Sequence, residues 1–408
     1  MPSLCRRFEP VRVYRIRSVS RAHAPARPAR QAKRACSPPA RTEDLMSALT
    51  IGTAVGDDST PATLDARRFN RHTFWCGQSG SGKTYALGVV LEQLLLHTEL
   101  PVLVLDPNAD FVRLQEPRPT ADADAATRIA EMDIRVFRSG RGHDDAVRVR
   151  YLDMSPAAQA AVMQIDPIHD AAEFNVLLHT QADAEGFDAD RLVRRLRETG
   201  ESAQAQLANR IENLQVLEWD LWSMGGSSVT DTIDERPRAT VLDLGGFAHP
   251  EEPKVAALAV LEQLWARREE RRPILIVIDE AHNLCSPEPI THVERRLTEQ
   301  LVQIAAEGRK FGLWLFLSTQ RPTKIHPNVL SQCDNLGLMR VNAPRDLAEL
   351  AQVFGFAPET SIRQAQTFAQ GQALFAGGFV AEPTIVQMGS RLTEEAGGDV
   401  KVPLRAGL

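Results

Sequence analysis

Gly77-Gln78-Ser79-Gly80-Ser81-Gly82-Lys83-Thr84 is the stretch on which the reading of this 408-residue chain turns. The pattern G-x-x-x-x-G-K-T is a phosphate-binding loop. Its glycines let successive backbone N–H groups curl round a triphosphate. Lys83 is placed to reach the β- and γ-phosphates, and the Thr84 hydroxyl to bind Mg²⁺. A Gly/Ser-rich run can also be no more than a flexible loop, but the flanks here are those the chemistry needs. Arg71-His72-Thr73-Phe74-Trp75-Cys76 reads as a strand leading in. Lys83–His97 reads as a helix leading out, with Leu87, Val90, Leu91, Leu94 and Leu95 on one face. The positive end of that helix points at the phosphates. Gly77, Gln78, Ser79, Gly80, Ser81, Gly82, Lys83, Thr84 and Tyr85 are the expected nucleotide-binding set.

Further out, Pro101–Leu105 is a short apolar strand ending in Asp106-Pro107-Asn108. Continuous apolar strands separated by a helix predict a parallel sheet buried on both faces. Sheet rhythm returns at Ala239–Leu244, Ile274–Ile278, Leu313–Ser318, Asn335–Arg340 and Ala373–Phe375. The strand Ile274–Ile278 ends in Asp279-Glu280. Two acids after a strand are commonly just a solvated strand end. Beside a phosphate-binding loop they read as chemistry, with Asp279 holding Mg²⁺ through its water shell and Glu280 orienting and deprotonating an attacking water. The adjacent acid favours hydrolysis over transfer to a second substrate. Leu313–Ser318 runs into Thr319-Gln320-Arg321-Pro322, where Gln320 either senses the γ-phosphate or lytic water or simply caps the strand. Glu307-Gly308-Arg309-Lys310-Phe311-Gly312 puts two cations before that strand. On residue pattern alone these are a solvated helix end. Asp106 either sits near the nucleotide or only caps its turn. Trp219 and Trp222, at helical spacing, read as core.

Residues 111–237 are Ala-rich and charged, with helical periods at Ala157–Ile165, Asp170–Thr180, Arg191–Glu198 and Ala203–Trp222. They are expected to form a mainly helical insertion between a first core part at 48–110 and a second at 238–390, with 391–408 a flexible tail. Residues 1–47 are a basic extension. Its first 45 residues hold 11 Arg and Lys against three Asp and Glu, so the rest carries −14 of the chain's net −6. Three readings of the extension stay open: a nucleic-acid arm, a transit peptide, or a leader ahead of a start at Met46. The last is preferred because sheet-like patterning begins just after Met46. Composition is that of a globular protein, 43% hydrophobic and 25% charged. No apolar run reaches the about 18 residues a membrane helix needs. The five cysteines are scattered without a C-x-x-C, which excludes a zinc cluster or disulfide scaffold and suits a reducing, cytoplasmic setting.

An ordered set of short motifs resembles the HerA/FtsK branch of P-loop ATPases, HerA-type proteins above all. It comprises Arg71-His72, Leu105-Asp106-Pro107-Asn108-Ala109-Asp110-Phe111, Asp279-Glu280-Ala281-His282-Asn283-Leu284, Glu307 to Gly312, Ser318 to Pro322 and Val329-Leu330-Ser331-Gln332-Cys333. The resemblance covers roughly residues 50–112 and 238–390. It implies an α/β, RecA-like P-loop NTPase core in which one strand separates the P-loop strand from the Asp–Glu strand. It implies a homo-hexameric ring with ATP and Mg²⁺ at subunit interfaces, double-stranded DNA in the pore, and a nuclease or other effector as partner in DNA processing or defence. By the same resemblance Lys83 and Thr84 bind nucleotide and metal, Asp279 assists the metal, Glu280 is the base, Gln320 the sensor and Arg309 a finger acting on a neighbouring subunit. No counterpart of the family's usual N-terminal β-barrel is expected in this stretch, since only about 30 ordered-looking residues lie between Met46 and Gly77, too few on normal strand lengths. Two functions compete: a DNA-translocating ATPase, and a nucleotide-switched assembly or regulatory ATPase that ignores DNA. A secretion or conjugation ATPase is a third and weaker reading.

Overall fold

The computed structural model describes residues 47–397 apart from 141, 143, 182–188 and 199. Residues 1–46 of the basic extension read at 1–47, and the tail beyond 397, lie outside the described residues.

The strands are β1 (Ala48–Ala54), β2 (Asp57–Asp65), β3 (His72–Cys76), β4 (Val102–Asp106), β5 (Ile134–Phe137), β6 (Ala239–Asp243), β7 (Ile274–Ile278), β8 (Leu313–Thr319), β9 (Cys333–Leu338), β10 (Gln372–Gly377) and β11 (Thr384–Met388). They form one sheet in the order β2-β1-β11-β10-β9-β3-β8-β7-β4-β6-β5. From β9 to β5 the pairing is parallel. The strands β10, β11, β1 and β2 extend it antiparallel. Thus β8 alone separates the P-loop strand β3 from the acid-bearing strand β7, as the resemblance implies. Residues 48–65 form a hairpin that joins the core sheet through β11.

The helices are α1 (Lys83–His97), α2 (Ala123–Ala130), α3 (Pro156–Val162), α4 (Ala171–Gln181), α5 (Ala189–Glu198), α6 (Ser202–Leu214), α7 (Val229–Glu235), α8 (Glu252–Ala266), α9 (His292–Glu307), α10 (Pro327–Leu330), α11 (Pro344–Val353) and α12 (Glu359–Gln364). Successive strand residues point to opposite faces of a sheet. Accordingly Phe74, Leu103, Leu105, Ile276, Ile278, Leu315 and Leu317 pack with α8, α9 and the 147–233 helices. Trp75, Val102, Val104, Leu275, Val277 and Phe316 pack with α1 on the other side. Strands β3, β4 and β7 are buried along their whole length, which is why residues 102–105 and 274–278 read as unbroken apolar runs, while β3 buries His72 and Thr73 as well.

Three features depart from the sequence expectation. The 111–237 stretch, read as mainly helical, also supplies β5 to the sheet edge. The long period at 203–222 is broken after Leu214, where Gln215 takes φ 51°. The expected flexible tail from 391 is corrected for its first residues. Arg391 and Thr393 are fully buried against α1. Glu92 of α1 accepts from the Leu392 N–H (2.7 Å) and the Thr393 N–H (2.8 Å) and pairs with Arg391. Burying a carboxylate is costly unless it is paired and hydrogen-bonded, so Glu92 fixes the strap in place. Trp219 and Trp222 are core residues, stacked at 5.9 Å.

Candidate nucleotide site

Register brings the C-terminal tips of four strands level. Cys76 stands opposite Thr319, Ile278 opposite Leu317, and Leu105 opposite Ile278. In open parallel sheets such tips form the ligand crevice. The loop 77–82 leaves β3 here. Its path needs glycine at two places. A Cβ on Gly77 would lie 2.7 Å from Ser81 Oγ and 2.8 Å from Met339 Cβ, and Gly82 has φ 86° at the entry to α1. Neighbouring backbone holds the loop: Gln78 N–H donates to Arg340 O (2.9 Å) and Gly371 N–H to Ser81 O (3.0 Å).

Lys83 opens α1 and is buried. Its Nζ donates to Asp279 Oδ1 (2.7 Å) and Ser318 Oγ (3.0 Å) and lies 3.2 Å from Glu280 Oε1. Burial works against the ammonium, but the two carboxylates outweigh it and hold Lys83 above the ordinary lysine value. Glu280 sits at φ 42°, a left-handed conformation that a side-chain-bearing residue rarely adopts and that often marks a functional position. Gln320 Nε2 donates to Glu280 Oε1 (2.7 Å), and His282 Nδ1 is 3.3 Å from Oε2. Burial pushes Glu280 up, yet His282, Lys83 and Gln320 together hold it at about 2. The sequence reading gave neither Ser318 nor His282 a chemical role of its own beyond the motifs that contain them. Both touch the acids directly.

Of its two sequence readings, Asp106 meets the turn-capping one directly. Its carboxylate caps the turn, accepting from Asn108 N–H (3.2 Å) and Phe111 N–H (2.8 Å). It also offers an oxygen within 4.8 Å of oxygens on Asp110 and Asp279. Asp110 was missed. The only signal for it was a second acid four residues on, brought back by the left-handed Ala109 at φ 58°. Burial and the neighbouring carboxylates raise Asp110 to about 7, and burial chiefly raises Asp106 to about 6. Asp279 Oδ2 is buried with no hydrogen-bond partner. Carboxylate oxygens with the Thr84 hydroxyl at the start of α1 are a hard-oxygen set that suits Mg²⁺. The residues present therefore fit a divalent cation beside the P-loop.

Tyr85 turns away from this crevice, its hydroxyl accepting from the Arg391 N–H (2.8 Å). Arg309 is not in the crevice either. It precedes β8, and six residue steps of strand, about 20 Å, separate it from the tip at Thr319.

The helicase HerA central-domain family model matches residues 49–263. A DNA double-strand break repair helicase HerA from Sulfurisphaera tokodaii is 26% identical over 211 residues, covering 50% of this chain and 41% of that protein. The Pyrococcus furiosus HerA is 20% identical over 387 residues, covering 83% and 69%. A probable helicase from Methanocaldococcus jannaschii is 33% identical over 121 residues, covering 30% and 23%. The chain thus spans less than half of the S. tokodaii and M. jannaschii proteins. Among solved structures, VirB4 of Thermoanaerobacter pseudethanolicus aligns with TM-score 0.56 at 14% identity, over 84% of this chain and 96% of that one. The plasmid coupling protein TrwB, in complex with ADP and Mg²⁺, aligns with TM-score 0.54 at 12% identity, over 86% and 92%. These two likenesses concern the fold alone, a mostly parallel sheet with helices packed on it.

Proposed function

Since the chain belongs to the helicase HerA central-domain family, we propose that it is an ATP-hydrolysing motor that works as a homo-hexameric ring on double-stranded DNA. A nuclease or other effector is its partner in DNA processing or defence. The observation that carries the reading is the convergence of Lys83, Asp279, Glu280 and Gln320 from α1 and the tips of β7 and β8 into one hydrogen-bonded group. Curated relatives named as double-strand break repair helicases support the motor.

In this reading the P-loop amides and Lys83 take the triphosphate, and Thr84 and Asp279 hold Mg²⁺, with Asp106 and Asp110 behind them. When bound, the metal withdraws charge from the phosphate oxygens. Glu280 takes a proton from water as the water oxygen bonds to the γ-phosphorus and the bond to the ADP oxygen breaks. A carboxylate held at about 2 is a weak base, whereas effective bases titrate nearer the working pH. Lys83 supplies part of that hold. Phosphate drawing Lys83 away therefore makes Glu280 a better base, and Gln320 keeps it oriented. Arg309, far from its own P-loop, serves the nucleotide of a neighbouring subunit.

Steady-state ATP turnover with and without linear double-stranded DNA tests this. DNA is expected to stimulate turnover, the stimulation to weaken as salt rises, and both to vanish in Glu280→Gln. Turnover that is abolished by Glu280→Gln but indifferent to DNA contradicts the motor and supports a nucleotide-switched regulatory ATPase.

A further inference from the structure

The strip Arg71-His72 belongs to the motif set yet has no place in the nucleotide crevice. Strands β8, β3 and β9 are neighbours in the sheet, with β3 between the other two. The residues at their N-terminal ends therefore meet at one edge, opposite the P-loop. There Arg309 Nη1 donates to Asp334 Oδ2, and Arg71 Nε lies 3.6 Å from the same oxygen. Arg309, Asp334 and Arg71 remain 34%, 45% and 42% exposed. Two guanidinium groups share one carboxylate, which leaves net positive charge at this edge.

The backbone that presents Arg309 is fixed independently. His72 is buried and uses both ring nitrogens: Nε2 bonds Ala305 O (3.0 Å), and Nδ1 accepts from Leu315 N–H (2.9 Å). This ties the last turn of α9 to β8, and the turn Gly308–Phe311 lies between those two anchors. Trp314 Nε1–H donates to the Arg309 carbonyl (3.4 Å). A Cβ on Gly308 would meet Leu313 O at 2.9 Å, so the turn packs directly against the start of β8. The Arg309 backbone is thus held from both sides, and among the described residues the hydrogen-bonding anchor of its guanidinium is Asp334.

We propose that Asp334 is the positioning residue of the Arg309 finger. It grips one guanidinium nitrogen, with Arg71 balancing the carboxylate, and leaves the remaining N–H donors for a γ-phosphate on a neighbouring subunit. The proposal rests on the ring-ATPase reading above. It explains why two arginines flank one half-exposed acid, where an ordinary exposed ion pair contributes little to stability. Holding a long side chain in its working rotamer lowers the ordering that the phosphate contact must otherwise impose.

The test is subunit mixing of the full-length chain with ATP turnover as readout. Lys83→Ala lacks a working P-loop but keeps the finger, and Arg309→Ala is the converse. Each is inactive alone, and mixing them restores turnover at interfaces that pair an intact loop with an intact finger. Asp334→Asn alone is expected to lower kcat about tenfold with KM for ATP unchanged, as loss of one charge-assisted hydrogen bond would. Its turnover is restored by Lys83→Ala subunits, which donate good fingers, and not by Arg309→Ala subunits. Arg71→Gln shows the same one-sided rescue and serves if Asp334→Asn fails to fold. Wild-type kcat in both variants, or equal rescue by either partner, overturns the positioning role. No recovery in the Lys83→Ala plus Arg309→Ala mixture overturns the trans-acting ring itself, and the proposal with it.

Discussion

Protonating His72 should uncouple α9 from β8. The imidazole is fully buried, donates from Nε2 and accepts at Nδ1, so only the neutral ring satisfies both partners. Burial, and then the charges of Arg309 and Arg71, depress its pKa to about 4, against the ordinary value of about 6.5. A group whose folded pKa is depressed binds fewer protons folded than unfolded throughout that window. Its contribution is fully present above pH 6.5 and is lost as pH falls towards 4. At pH 5 the unfolded ring is almost wholly protonated and the folded one scarcely at all, which corresponds to about 2 kcal/mol of lost stability. Urea unfolding at pH 7.5 and pH 5, for wild type and for His72→Gln, isolates the effect. The variant has its own baseline stability but no imidazole, so the wild type should lose about 2 kcal/mol more than the variant between the two pH values. Parallel losses, agreeing within about 0.5 kcal/mol, would refute the assignment.

Other perturbations have defined outcomes. Glu92→Ala strips the buried Arg391 of its buried carboxylate partner, leaving only the part-exposed Glu395, and strips the 392–393 amides of their acceptor, and should cost about 3 kcal/mol by urea unfolding, with early proteolysis after residue 390. Gly337→Ala puts a Cβ 2.4 Å from the Trp75 ring in the middle of the sheet, and overpacking of this kind should cost about 1–3 kcal/mol. Cys76, Cys285 and Cys333 are buried, which pushes Cys285 up to about 12 and the other two upward as well. A thiol-specific reagent at pH 8 should leave all three unlabelled until denaturant is added.

The sheet and the crevice were legible because their signals are local. The P-loop helix begins and ends where its pattern does, at Lys83 and His97. Strand β7 is five consecutive β-branched or leucine residues ending in two acids. What escaped is held by contacts distant along the chain. Arg391-Leu392-Thr393 is short and without a period, and only contacts distant along the chain give it a structure, with Glu92 and Tyr85 about 300 positions earlier and with Arg118. Strand β5 is four residues long and half-buried at the sheet edge, too short for periodicity to separate it from its helical surroundings. Asp334 and Arg309 are 25 positions apart, and nothing in either segment announces that a parallel sheet sets their strand ends side by side.

The central claim is that Lys83, Asp279 and Glu280 form a site that binds and hydrolyses ATP. Parallel measurement of ATP binding and single-turnover phosphate release for wild type, Lys83→Ala and Glu280→Gln tests it most directly. The account predicts that wild type binds and hydrolyses, Glu280→Gln binds but releases phosphate at least 100-fold more slowly, on the order expected for losing a general base, and Lys83→Ala fails to bind. Phosphate release at the wild-type rate by Glu280→Gln, or undiminished ATP binding by Lys83→Ala, would contradict it.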